Sequence, residues 1–318
     1  MLLCSKIMLR NILIVGLGTI GKRYFNNLST FFKDREVFIY KKLKNKSEKN
    51  FKTKKIGAAI ISNPSNLHIH SAIKFAKKGI HCLIEKPLSI NFKGVTKLVK
   101  IKKKKNLSIQ VGYNLRFLKG AQFFKKKFQN KKKQIKHITI NCLTNMLNWR
   151  KDKNYKKFSS SSKKLNGGVL FELSHEVDYL RWIFGDIKEV FAIIKNTGKL
   201  KSDIDEIARI LIKLKSGITA DINLSLINHY EKRDCIVFTK QGYYEWNLLK
   251  DEVKKNNKSI FKNKKFDINQ TQIDQIKNFL NSISKNSRSA ANLEDGIKTL
   301  KTLLAIEKSS KSKKIITL

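Results

Sequence analysis

ILIVGLGTIGK, residues Ile12–Lys22, decides how the rest of the chain is read. A short apolar run rich in β-branched side chains stops at Gly16-Leu17-Gly18-Thr19-Ile20-Gly21, and a segment with helical spacing follows. In that strand–turn–helix setting G-x-G-x-x-G has a physical meaning. The first glycine permits the tight turn, the second lets a pyrophosphate approach backbone N–H groups, and the third lets helix and strand pack closely. The helix N-terminus adds partial positive charge. Gly16, Gly18, Thr19, Ile20 and Gly21 are therefore expected to hold a dinucleotide; the plainer alternative is a glycine-rich turn that binds nothing.

Outward from this turn, strands and helices alternate. Ile20, Tyr24, Leu28 and Phe31/Phe32 recur at helical spacing, as in a helix packed on a sheet. Val37–Tyr40, Ile56–Ser62, Ile80–Ile84 and Leu107–Val111 read as buried strands, with helical stripes between the later ones. The alternation predicts an α/β fold whose N-terminal part is a doubly wound parallel sheet. After Phe117 the pattern changes. Ala121–Phe128 reads as a short helix, Ile135–Leu147 as a strand, and Gly168–Phe184 as one strong helix. Strand-like runs at 190–194, 207–214, 218–226, 235–238 and 243–248 then follow without helices, which predicts a largely antiparallel open sheet in an α+β domain. Helices return near 271–283 and 293–306. We place the boundary at Phe117, giving domains of 8–117 and 118–318, sizes in the ordinary range.

The chain has 318 residues, 41% of them apolar, and 68 basic against 24 acidic side chains, a formal charge of +44. Such charge suggests a polyanion-binding protein, but only nine of the basic residues are Arg and the lysines are spread through nearly every segment. Specific nucleic-acid readers rely on Arg for bidentate contacts, so no specific nucleic-acid partner is expected. No run of eighteen apolar residues predicts a membrane span, and the opening MLLCSKIMLR has too short an apolar run for a secretory signal. Cys4, Cys82, Cys142 and Cys235 are widely separated. Three lie in apolar strand-like runs, which reads as buried thiols in a reducing cytoplasm.

Four signals now stand in order: the glycine turn, Ser62-Asn63-Pro64-Ser65-Asn66-Leu67-His68, Glu85-Lys86-Pro87, and Gly167–Asp178 (GGVLFELSHEVD). Together they resemble the Gfo/Idh/MocA oxidoreductases over most of residues 8–250. The resemblance implies an N-terminal NAD(P) domain and a C-terminal α/β domain whose open sheet often mediates dimerisation, hence a homo-oligomer. It also implies sugar, cyclitol or nucleotide-sugar substrates. Asn148-Trp149-Arg150 with Asn154-Tyr155 looks like members linked to surface-sugar biosynthesis, although those usually carry Asp in place of Asn148 and Asn154. A non-catalytic regulator of the same fold that senses a sugar or NAD(P) is the alternative.

Oxidation of a secondary alcohol sends a hydride to the cofactor and a proton to a base. Glu172, His175 and Asp178 lie three apart along the polar edge of the Gly168–Phe184 stripe, and His175 is the expected base. The commonest family form has Asp four residues before the histidine; Phe171 stands there, and Glu172 is the nearest acid to replace it. Lys86 follows a sheet strand, where open α/β folds place ligands, and its ammonium suits a developing alkoxide. Pro87 permits a cis peptide. Asn63, Pro64, His68, Glu85, Lys86 and Asn114 are expected on the cofactor side, and Arg116, Trp149, Arg150, Tyr155 and Asp178 on the substrate side. The second strand, Val37–Tyr40, ends in Tyr40-Lys41-Lys42 where an NAD site usually offers an acid, so Lys41 and Lys42 lean the cofactor slightly toward NADP. No metal is needed, although Glu172, His175 and Asp178 have the chemistry to bind one.

Overall fold

The computed structural model describes residues 10–40, 55–150, 159–165 and 167–318, and they form two compact units. The first comprises the chain up to Asn114 together with Asn269–Ile297. Its sheet holds β1 (Asn11–Val15), β2 (Glu36–Tyr40), β3 (Ala58–Ile61), β4 (His81–Ile84) and β5 (Ile109–Val111). The order is β2-β1-β3-β4-β5, every pair parallel. Strands such as AAII are apolar throughout because a parallel sheet is covered on both faces. Helices α1 (Thr19–Phe31), α2 (His68–Lys77) and α3 (Val95–Lys104) connect the strands.

Tyr24 and Leu28 of α1 are fully buried against Ile12, Ile14 and Ile60. Ile20 and Phe31, expected on the same stripe, are 36% and 54% exposed. The core is completed by a helix far away in sequence: α7 (Ile268–Ser284) contributes Ile276, Phe279 and Leu280. Beyond it, Ala291 O accepts the Val111 N–H at 2.7 Å, and Asn292 bridges Gln110, so this returning segment covers the β5 edge. A single cut at Phe117 therefore does not describe the packing. The first unit ends close to that position but reclaims 269–297, because α7 carries apolar side chains that complete the parallel sheet's core.

The second unit comprises Leu115–Ile268 and Lys298–Leu318. Its nine strands are β6 (Ile135–Asn145), β7 (Ile187–Lys195), β8 (Ile207–Leu214), β9 (Thr219–Ser225), β10 (Ile227–Thr239), β11 (Gly242–Asn247), β12 (Glu252–Lys255), β13 (Lys258–Lys262) and β14 (Ile316–Thr317). They run in the order β13-β12-β11-β10-β6-β9-β8-β7-β14, antiparallel except for the β6–β9 pair. One face is covered: along β8, Ala208, Ile210, Ile212 and Leu214 point inward while Arg209, Leu211 and Lys213 point out. The inner face packs on α4 (Lys119–Phe128), on α6 (His175–Phe184) and on the later part of α8 (Leu293–Ser312). Cys142 and Cys235 are buried free thiols here, as Cys82 is in the first unit. Among the described residues no helix is long and apolar enough to cross a membrane.

Candidate active site

At the carboxyl end of β1, Gly16 takes φ +98°, and a Cβ there would lie 2.6 Å from the Asn63 amide nitrogen. Gly21 is more constrained still: a Cβ would meet Gly16 O at 1.9 Å. At Gly18 an added Cβ would meet nothing within 4 Å. The first bond of α1 runs from Lys22 N–H to Gly18 O, no side chain caps the helix, and its first turn holds no acid. First-turn N–H groups that no side chain caps among the described residues, beside an open approach at Gly18, fit a pyrophosphate. Thr19 and exposed Ile20 flank that approach. At the end of β2 the Lys74 ammonium donates to Tyr40 Oη at 2.7 Å and lies 5.0 Å above its ring. Lys41 and Lys42 lie outside the described residues.

The loops after β3 and β4 complete this edge. Ser62 Oγ donates to Gly16 O at 2.8 Å, and Asn63 Nδ2 donates to Ser71 Oγ at 2.9 Å. Asn63 Oδ1 is buried with no partner among the described residues, and Pro64 is exposed. Both features suit a wall of a cofactor crevice. His68 does not face such a crevice. It is 2% exposed, with Nδ1 2.8 Å from Pro87 O and Nε2 2.8 Å from Asn63 O, and burial lowers it to about 4. Its role is internal, because both ring nitrogens are occupied by backbone carbonyls.

Glu85 likewise turns inward. Its Oε1 accepts the Tyr24 hydroxyl at 2.5 Å, its Oε2 accepts the Lys86 N–H at 3.1 Å, and burial raises its pKa. Burial and then the Glu85 carboxylate push Tyr24 up as well. Gly112 allows the exit of β5 to press on this turn, since a Cβ would lie 3.0 Å from Glu85 and from Lys86 N. Lys86 is half-buried, and the Lys86–Pro87 peptide is cis. Asn114 Nδ2 donates to Thr271 Oγ1 at 2.6 Å, binding the strand exit to α7.

The second unit revises the expected substrate side. The stretch 168–184 is not one helix: α5 (Val169–Glu172) stops, and α6 starts at His175. Half-buried Glu172 thus ends one helix and half-buried His175 opens the next, so they no longer share one helical face. Asp178 is not available to substrate. Arg116 Nε and Nη2 donate to its two oxygens at 2.8 and 2.7 Å, Thr299 Oγ1 adds a bond at 3.2 Å, and both ionic side chains are almost wholly buried. Arg116 lies 5.5 Å from the Trp182 ring. Trp149 is 37% exposed, its Nε1 donating to Thr144 Oγ1. Arg150 ends a short 3-10 turn, and Tyr155 lies outside the described residues.

Sequence reasoning missed a second ion pair beside His175, in which Glu176 is buried and Arg233 only partly so. Arg233 Nε donates to Glu176 Oε1 at 2.8 Å, and Nη2 lies 2.8 Å from the same oxygen. Burial alone would lower the Arg233 pKa, but Glu176 holds it above its ordinary value; burial and then Glu176 raise Cys142 and Tyr179. Glu176 adjoins the apolar stripe of α6, but Arg233 stands in the charged run Glu231–Asp234, so no local pattern pointed to the pair. No group of three or more His, Cys, Asp or Glu side chains gathers as metal ligands would among the described residues.

A parallel sheet with an anion-ready first βα turn, joined in one chain to a mixed open-sheet unit, defines a two-part dinucleotide-binding protein. The sequence matches the models of both parts of one family. Residues 10–113 match the "Oxidoreductase family, NAD-binding Rossmann fold", and residues 130–318 match the "Oxidoreductase family, C-terminal alpha/beta domain". The chain belongs to the Gfo/Idh/MocA oxidoreductase family. It is similar to 2,7-anhydro-N-acetylneuraminate hydratase of Escherichia coli, 26% identical over 45% of this chain and 37% of that one, so this match spans little more than a third of the relative. It is also similar to myo-inositol 2-dehydrogenase of Thermotoga maritima, 23% identical over 83% of this chain and 80% of that one. The fold matches the WlbA dehydrogenase of Bordetella pertussis in complex with NADH and UDP-GlcNAcA, at TM-score 0.79 and 17% identity over 98% and 99% of the two chains.

Proposed function

We propose that this chain is a nicotinamide-dependent dehydrogenase acting on a hydroxyl or carbonyl of a sugar, cyclitol or nucleotide sugar, in the supply of surface-polysaccharide precursors. The observation that carries the cofactor reading is the β1–α1 turn, with its uncapped N–H groups and a Gly21 position that admits no side chain. NADH in the solved relative favours NAD(H). The lean toward NADP has only Lys41 and Lys42 behind it. A nicotinamide cofactor held at this turn would supply the hydride chemistry.

The remaining work falls to side chains of this chain. Gly16, Gly18, Thr19, Ile20 and Gly21 seat the cofactor, with Asn63 and Pro64 walling it. Lys86, its backbone held by Glu85, hydrogen-bonds the reacting oxygen and stabilises alkoxide character as the proton leaves. His175 takes that proton, and a general base so placed contributes about 10²–10⁴-fold. Glu172 orients the substrate hydroxyl, and Trp149, Arg150 and Tyr155 line the substrate, Arg150 suiting a carboxylate or phosphate. Arg116 and Asp178 are assigned to the framework.

The test is nicotinamide absorbance with NAD and NADP against a panel of sugars, inositols and UDP-sugars. Turnover on a member of the panel is the expected result. Cofactor binding without turnover on any member would instead favour a sensor of the same fold.

A further inference from the structure

One buried side chain links the loop after β3 to the turn after β4. His68, the first residue of α2, sits between the carbonyl of Asn63 and the carbonyl of Pro87, 2.8 Å from each. We infer that His68 is a positioning residue for Lys86, its imidazole coupling the Asn63–Pro64 wall of the cofactor crevice to the turn that carries the lysine. The inference rests on the role proposed for Lys86.

Each end of the link is anchored. The Asn63 backbone lies against Gly16, close enough that no Cβ fits there, and its amide side chain is tied to Ser71. At the other end Pro87 directly follows Lys86, whose own N–H is held by Glu85 Oε2. The lysine's backbone is therefore gripped before and after: Glu85 is fastened to Tyr24 of α1, and Pro87 is fastened through His68 to the loop beside the glycine turn. All of these residues belong to the first unit.

The ring's chemistry suits the task. An imidazole is a rigid planar side chain, so it fills the space between the two carbonyls and fixes their separation while donating to one of them. Burial lowers His68 to about 4, and the Lys86 ammonium disfavours a second cation beside it. Near neutral pH the ring is thus uncharged, and its one N–H donates to one of the two carbonyls while the opposite ring edge packs against the other. The coupling places no competing positive charge next to the lysine.

The test uses the full chain and the variants His68→Leu, which keeps bulk without donors, and His68→Gln, which keeps an amide donor. Hydrogen–deuterium exchange is followed in peptides covering 63–68 and 85–89, and kcat and the NADH dissociation constant are measured alongside. His68→Leu should speed exchange in both segments and lower kcat about 10–100-fold, the scale of a small misplacement of a reacting group. NADH affinity should stay within about threefold, and His68→Gln should recover part of both effects. Faster exchange in neither segment, or in only one, overturns the coupling. Both segments loosened with kcat unchanged overturns the positioning of Lys86. If wild-type protein turns over nothing, the dehydrogenase reading falls while the exchange result still decides the coupling. If His68→Leu does not fold, His68→Gln decides: exchange and kcat both at wild-type values in it, with His68→Asn no different, overturn the inference.

Discussion

Replacing Asp178 by Ala removes the carboxylate that receives two hydrogen bonds from Arg116 and one from Thr299. The guanidinium that remains is 1% exposed on its side chain, so water does not replace the lost partner. Breaking a buried pair in this way costs about 3–5 kcal/mol, because an uncompensated charge stays inside. With a slope of about 4 kcal/mol/M in guanidinium chloride, the unfolding midpoint should fall by about 1 M. All three tryptophans, Trp149, Trp182 and Trp246, belong to the second unit, so intrinsic fluorescence follows that unit alone. The double variant Arg116→Met with Asp178→Leu should regain most of the loss, since it removes both charges of the pair together. An Asp178→Ala protein within about 1 kcal/mol of wild type, with its loss confined to substrate affinity, would refute the framework assignment and restore the substrate role.

Two further predictions concern the first unit. Gly21→Ala should lose NADH binding in a fluorescence titration and melt earlier, because its Cβ meets backbone at 1.9 Å, whereas Gly18→Ala should keep the melting temperature and weaken NADH only. Glu85 has a pKa raised by burial above its ordinary 4.5, so the folded state binds its proton more tightly than the unfolded chain does. Its contribution to stability is complete below about 4.5 and is lost as pH rises through the folded value; Glu85→Gln should therefore gain on wild type in denaturation midpoints across that rise, and a constant difference would contradict the assignment.

The N-terminal architecture was legible because its signals are local. Continuous apolar strands ending at Gly16, Ser62 and Glu85 identify a parallel sheet whatever else the chain does. The return of α7 was not legible, since amphipathic spacing shows that a helix buries one face without saying against what. The break between Glu172 and His175 has neither Gly nor Pro at Leu173-Ser174, and its one mark is Ser174, a residue type favoured at the N-cap it occupies. The hairpin β12–β13 was missed because lysines dominate it and little of it is buried; its signal was Asn256-Asn257, both at positive φ, which suits a two-residue turn. Site residues divided by the kind of evidence they needed. Spacing was enough for the glycine turn. The charges at Arg116 and Asp178 drew attention as ligands, yet they satisfy each other, a long-range pairing that no local pattern reveals.

The central claim is that Lys86 and His175 move the proton while the cofactor seat works without them. Single-turnover nicotinamide reduction, run with the sugar that gives turnover, on wild type, Lys86→Ala and His175→Ala at equal cofactor saturation tests it most directly. The account predicts unchanged NADH affinity and a hydride-transfer rate lowered about 10²–10⁴-fold in each variant. Wild-type rates in either variant would contradict it.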